Sequence, residues 1–314
     1  MDSKRIKSLL EKARIFLILI VLCAVIGFLA PTFFTAANLI NIVRQISIIC
    51  IIAMGSMMVI ITGGIDLSPG SIAAFSGVVG AILATTGGFS PLAAIFVGIL
   101  AGGICGLVNG VIVAKGKIPS FIVTLGMSEI ARGLAYILSN GKPVSGLPKG
   151  YLVIGRTSIG IIPVPIIIMA AVLVITWIIM KKLTIGKHIY AVGGNPVAAR
   201  VAGIHVDRVL IMVYAFAGLT AGLGGLVLSA RIASGHPNNA DGYELDAIAA
   251  TVIGGTSLSG GIGSVWGTLI GALIIGVLNN GLDILSVSSY YQQVAKGVII
   301  IVCVLMDRKT SRSS

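Results

Sequence analysis

Few residues in this chain have the types and spacing that chemistry requires. Asp66 sits between Gly64 and Pro69 at the end of an apolar run. A carboxylate at bilayer depth costs about 2.5–3.5 kcal/mol on insertion scales, so Asp66 must face protein or water. Two readings stand. Asp66 and Ser68 line a solute pathway, or they cap a helix that begins near Pro69, which aspartate and serine both favour. Glu129 and Arg132 lie mid-span at i,i+3 on one helical face. They could serve a proton relay or ion site, but a structural ion pair between the two explains them without further partners and is the preferred reading. Asn109, Asn279 and Asn280 are amides near the ends of apolar runs. They are placed either to bond a sugar hydroxyl along a pathway or to tie helix to helix.

Catalytic patterns are missing. The sequence holds no P-loop GxxxxGK[ST], no HExxH and no GxSxG nucleophile elbow. A chain that uses nucleotide hydrolysis without a P-loop needs another chain to supply it. Cys23, Cys50, Cys105 and Cys303 all fall inside apolar runs with no CxxC spacing, which reads as small core residues rather than a disulfide framework or a metal site. The histidines His188, His205 and His236 are scattered, so no metal centre is expected.

The elements that must position these residues are membrane helices. Of 314 residues only 10% are charged and 42 are glycine, and the mean hydropathy is +1.07. Soluble domains carry about 25% charge, which excludes that class. The net charge of +12 is spread through short segments between apolar runs, as the positive-inside bias requires. It is not gathered on a module that would bind nucleic acid. Apolar runs fall at Ile15–Ala30, Ile40–Ile61, Ser71–Thr86, Pro91–Ala114, Pro119–Leu138, Ile162–Met180, Val209–Ile232, Glu244–Ile253, Ser264–Gly281 and Tyr290–Met306. The reading is an all-α polytopic membrane protein of about ten transmembrane helices, two of them too short to cross simply and therefore broken or re-entrant.

Residues 1–14 form a basic segment, expected to be cytoplasmic and uncleaved. Ten alternating crossings then place Lys115 and Lys117, residues 181–208 and the tail 307–314 on the same side. The loops Ser139–Gly160 and Ala233–Tyr243 fall outside. The whole of 1–314 reads as one transmembrane domain.

Two further patterns concern packing. Gly98, Gly102, Gly106 and Gly110 recur every four residues, and Gly218–Gly222 and Gly267–Gly271 repeat the spacing that lets helix backbones approach closely. The segment Thr62–Ser71 also echoes Ile253–Ile262 at a shift of 191, from 254 − 63. Paired glycine-interrupted segments of this kind mark broken helices near a pathway in many transporters.

One polar island, GKHIYAVGGNPVAARVAGIHVDR (Gly186–Arg208), separates two long apolar runs. Asn195 reads as an N-cap, Pro196 as the first helical position and Gly203 as the stop. The two turns between them cannot persist alone in water, so neighbours or a partner must hold them. Apart from Arg200 the side chains are small.

These residues, with PTFFTAANLINIVRQ (Pro31–Gln45), GGIDLSPGS (Gly63–Ser71), NGVIVAKGKIPSFIVTLG (Asn109–Gly126), GYELDAIAATVIGGTSLSGG (Gly242–Gly261) and LNNGLDILSVSSYYQQVAKG (Leu278–Gly297), resemble the permease subunits of bacterial ribose-type ABC sugar importers over nearly the whole chain. The resemblance implies a multi-pass protein of the bacterial inner membrane with both termini cytoplasmic. Its partners would be a second copy of itself, membrane lipid, a cytoplasmic ABC ATPase that holds the ATP and Mg, and an extracytoplasmic sugar-binding protein. No cofactor is expected on this chain, and the chain itself would not be an enzyme. The resemblance also makes the polar island a short cytoplasmic coupling helix that meets the ATPase through Gly194, Asn195, Pro196, Ala198, Ala199, Arg200 and Gly203. The outer loops would receive the binding protein, with Lys142, Lys149 and Arg156 meeting its carboxylates. Ribose leads as the cargo, with other pentoses, hexoses, inositol or a furanosyl signal molecule as alternatives. The rival readings are a self-sufficient secondary transporter or channel, which scarce intramembrane ionisable residues disfavour, and a membrane enzyme, which the missing catalytic patterns disfavour.

Overall fold

The computed structural model describes residues 3–288, 290–295, 297, 298 and 301, with side-chain surroundings described from residue 16 onward. The tail 307–314, Cys303 and most of the expected last crossing Tyr290–Met306 lie outside the described residues, as do Met1, Asp2 and the side chains of the basic N-terminal segment.

The described residues are mostly helical. In order come α1 (Ser3–Leu29), a 3-10 turn (Pro31–Phe34), α2 (Ala36–Ile61), α3 (Pro69–Thr85), α4 (Pro91–Gly116), α5 (Ser120–Ser139) and α6 (Lys149–Arg156). A two-stranded hairpin follows, β1 (Ser158–Ile159) with β2 (Ile162–Pro163), then α7 (Val164–Lys181), α8 (Thr184–Gly194), α9 (Pro196–Val201), α10 (Val206–Ile232), α11 (Tyr243–Ile253) and α12 (Val265–Ile284).

Helix α2 is the axis. Every residue from Ile46 to Ile61 is buried, as a helix apolar on all sides must be. It touches α7, α10, α11 and α12. Helix α10 packs antiparallel to α4 along the glycine stripe. A Cβ on Gly102 would lie 2.6 Å from the Gly218 carbonyl, and one on Gly218 would lie 2.3 Å from that of Gly102. The stripe therefore serves backbone-to-backbone packing, as its spacing predicts. The Gly267–Gly271 pair does the same between α12 and α11, where a Cβ on Gly271 would sit 1.8 Å from the Ala250 carbonyl.

Among the described residues, six helices are long and apolar enough to cross a membrane: α2, α4, α5, α7, α10 and α12. Phe16–Leu29 and α3 are apolar but shorter. The stretch Glu244–Ile253, expected as a crossing, belongs to α11, whose 11 residues span about 16 Å at 1.5 Å per residue. It is short because the chain before it runs irregularly. Residues 233–242 leave α10 through Ala233 at φ +58° and enter α11 through Gly242 at φ +76°.

The two segments of the internal echo meet at one end of the bundle. Gly261 N donates to the Ile61 carbonyl at 2.8 Å, so the loop after α2 and the loop after α11 touch. Their conformations do not match residue for residue, because Gly63 has φ +81° whereas Gly254, its partner at a shift of 191, has φ −69°. At the opposite end the two expected outer loops also meet. Val144 and Gly235 exchange backbone hydrogen bonds of 2.8 and 3.0 Å.

Candidate functional site

The polar island folds as α8 and α9, joined at Asn195. That residue has an extended backbone, and its Oδ1 accepts from Val197 N at 2.9 Å and Ala198 N at 3.0 Å, with Pro196 in the first turn. The sequence pattern required this cap. The helix ends where Gly203 turns left-handed at φ +84°, and Ile204 N closes back onto the Ala199 carbonyl at 3.0 Å. Arg200 pairs with Asp207 at 3.1 Å, both exposed, which ties α9 to the start of α10.

One expected contact residue points the wrong way. Ala199 is only 4% exposed and packs into the main core, so it anchors α9 to its own chain instead of meeting a partner. The outward apolar positions are Val197 at 72% and Val201 at 86% exposed, one helical turn apart. Gly194, Asn195, Pro196, Ala198, Arg200 and Gly203 are exposed.

What holds α8 against the bundle was not read from the sequence. A Cβ on Gly193 would lie 1.7 Å from the Ile61 carbonyl, so the end of α8 rests directly on the end of α2. Tyr190 donates its hydroxyl to the Gly263 carbonyl at 2.9 Å. Burial raises the pKa of that hydroxyl, which keeps it a donor. The only advance signal was the pair Gly193–Gly194 following an aromatic residue.

The candidate pathway residues fall into separate groups. Asn109 Nδ2 donates to Ser68 Oγ at 3.0 Å, and Ser68 Oγ donates to Asp66 Oδ1 at 2.6 Å, all three residues buried. Asp66 also accepts from Ser68 N at 2.9 Å. Asp66 is thus the capping acceptor of the turn into α3, while Ser68, the residue preceding that helix, makes no side-chain cap bond of its own. Ser120 Oγ and Thr124 Oγ1 accept from Ile65 N and Leu67 N at 2.9 and 3.1 Å, joining the same turn to α5. Elsewhere Asn279 donates to Asp246 at 3.2 Å, while Asn280 and Asn38 exchange bonds of 2.9 and 3.1 Å. These amides act as ties between helices, the alternative the sequence left open.

Glu129 and Arg132 do not pair. Arg132 Nη1 reaches the Pro237 and Asn239 carbonyls at 2.5 and 3.0 Å, and its other nitrogen lies 4.0 Å from Asp241. The loop before α11 offers two carbonyls in a fork that a guanidinium fits, and this outcompetes a neighbour three residues away. Glu129 stays exposed.

At the end bearing the hairpin, Lys142, Lys149 and Arg156 are exposed. Arg156 is also committed internally, donating from Nε to the Arg231 carbonyl at 2.9 Å. Arg44 Nη2 bonds the Arg156 carbonyl and Ser158 Oγ, both at 3.2 Å, and Arg231 Nη2 bonds Asn41 at 2.9 Å. Arg44 and Arg231 thus join Arg156 in a cluster that the sequence did not reveal. Among the described residues, none of the three has a carboxylate within 4.0 Å.

A polytopic bundle of glycine-packed helices, with a capped helix projecting at one end and basic loops at the other, defines an integral membrane transport component. The chain belongs to the family described as branched-chain amino acid transport system / permease component, whose model matches residues 38–304. It is 45% identical to the ribose import permease protein of Bacillus subtilis over 314 aligned residues, covering 99% of this chain and 97% of that protein. The ribose import permease protein of Escherichia coli is also 45% identical, covering 96% and 95%. The D-allose transport system permease protein of E. coli is 40% identical, covering 96% and 93%. No solved structure matches the chain.

Proposed function

We propose that this chain is the membrane-spanning subunit of an ATP-driven importer for ribose or a closely related monosaccharide in the bacterial inner membrane. It works as a pair of copies, with the ATP and Mg held by a separate cytoplasmic ATPase and the sugar delivered by an extracytoplasmic binding protein. The observation that carries this reading is the match to ribose import permeases along nearly the full length of both chains. A shared fold with a different cargo would leave the family description, branched-chain amino acids, as the rival substrate.

The geometry supports the coupling half of the reading. Helix α9 is held to its own bundle by Ala199 and offers Val197 and Val201 outward beside exposed Arg200. Such an isolated apolar pair suits the floor of a cleft on a partner. With α9 cytoplasmic, an even number of crossings puts both termini inside. Lys142, Lys149 and the arginine cluster then face the binding protein.

The test is uptake into vesicles that hold this chain with its ATPase, given loaded binding protein and ATP. Ribose should accumulate only with both additions. Accumulation of leucine but not ribose would transfer the reading to amino acids. Uptake driven by an ion gradient without the ATPase would overturn the importer reading altogether.

A further inference from the structure

Glu129 is the tenth of the 20 residues of α5, a helix long and apolar enough to cross the membrane. Its carboxylate therefore sits near mid-depth, and it is exposed with no ion pair or hydrogen bond among the described residues. The packed face of α5 runs through Thr124, Met127, Ala131 and Ala135. Glu129 is two residues from both Met127 and Ala131, about 160° around the helix from each at 3.6 residues per turn. It stands opposite the packed side, where an ordinary spanning helix meets lipid. An ionised group there is tolerated only where protein or water replaces lipid.

This side of the helix is open, and Glu129 and Arg132 interrupt an otherwise apolar exposed surface that includes Ile122, Leu125 and Ile130. Gly126 and Gly133 flank Glu129 along the stripe, and a Cβ on either would meet nothing within 4 Å. Farther along, Arg132 and Tyr136 hold the loop before α11 against the same side of the helix. Arg132 does so through the carbonyls of Pro237 and Asn239, Tyr136 through Asn238. Asn238 and Asp241 on that loop are themselves exposed.

We infer that the side of α5 bearing Glu129, together with the Pro237–Asp241 loop, faces a water-filled sugar passage, and that Glu129 is a contact residue for the cargo. Sugar hydroxyls donate to its carboxylate, and the bare glycine backbone on either side leaves room for a pyranose or furanose ring. The inference rests on the importer reading for the identity of the cargo, but not for the exposure of Glu129 to water.

The experiment uses the complete transporter in vesicles, with Cys23, Cys50, Cys105 and Cys303 replaced by alanine. Glu129→Cys is compared with Ile104→Cys, an exposed position at similar depth on α4. A membrane-impermeant thiol reagent, applied in turn to both faces, should label Glu129→Cys from at least one face at a rate of at least about ten times that of Ile104→Cys, as a water-facing site and a lipid-facing site must differ. In parallel, Glu129→Leu should lower sugar uptake at least about tenfold, the effect of losing a charged hydrogen-bond acceptor. Glu129→Gln keeps shape and an acceptor and should lose less, and it serves as the test if the leucine variant fails to reach the membrane. Labelling no faster than at Ile104→Cys, from either face, overturns the inference: the stripe then faces lipid or a dry contact with the second copy. So does wild-type uptake by Glu129→Leu, or by Glu129→Gln where the leucine variant is lost. If the unmodified complex moves no sugar, the importer reading is what fails, and the labelling still decides whether Glu129 meets water.

Discussion

Gly203 is the residue whose role was most legible in the sequence and whose alteration has the clearest outcome. At φ +84° it occupies a region where an L-residue costs about 1–2 kcal/mol. Nothing lies within 4 Å of where a Cβ would stand, so the cost of Gly203→Ala is purely one of backbone strain. Coupled uptake should fall while the amount of permease in the membrane stays near normal, and Gly203→Asn should be milder because asparagine tolerates this region. Val201→Asp tests the outward face. At 86% exposed it should leave the bundle intact and abolish sugar-stimulated ATP hydrolysis. Unchanged hydrolysis at equal permease levels would remove α9 from the contact. Ala199→Glu is a different experiment from the one its position in the motif invites. It buries an unpaired charge and should destabilise the docking of α9 itself. The cap residues were readable because Asn, Pro and Gly impose local geometry. The inward turn of Ala199 was not, because two turns of helix carry no periodicity long enough to assign a face.

Among the elements, the close approach of α4 and α10 makes the sharpest claim. Gly218→Val would drive its side chain into the Gly102 backbone, which cannot swing aside as a side chain can. Overpacking of this kind costs about 1–3 kcal/mol, and thermal unfolding in detergent should show a midpoint several degrees lower. Gly126→Ala, with open space around it, should leave the midpoint within the scatter of the wild type. These contacts were legible because glycine at every fourth residue of an apolar helix clears a continuous groove for a second backbone. The half-length α11 was less so: hydropathy registers Glu244–Ile253 as apolar but says nothing of where the chain before it travels. The Glu129–Arg132 pairing failed for the same reason. Spacing along a helix shows which residues can meet, whereas the carbonyls of Pro237 and Asn239 arrive from more than a hundred residues away.

For the whole molecule the predictions concern sidedness and number. A cysteine at Lys187 should be labelled by an impermeant reagent only from the cytoplasmic face, and one at Lys149 only from outside. Labelling of Lys187→Cys in intact cells would invert the arrangement. Native mass spectrometry of an active complex should find two copies of this chain, and a single copy in a transporting complex would exclude the pair. Neutralising Lys142 and Lys149 together should weaken stimulation by the binding protein at low salt and have less effect at high salt. Exposed pairs contribute about 0.2–1 kcal/mol each and are screened. Arg156 is left out of that experiment because its bond to the Arg231 carbonyl makes it structural as well. The class of molecule was legible from composition alone, since apolar runs of this length admit few other solutions. The count of crossings was not, because short helices and irregular segments share the same hydropathy.

The contact of Gly193 with the carbonyl of Ile61 has a mechanical meaning. Side chains that mediate a contact can absorb displacement by changing rotamer, and the stroke is lost as slack. Here backbone bears on backbone, and the same carbonyl receives the Gly261 amide from the second glycine-rich loop. A force applied at α9 therefore arrives undamped at the foot of the most deeply buried helix in the bundle. It reaches α11 and α12 in the same movement, because the Gly261 loop is the chain that joins those two helices.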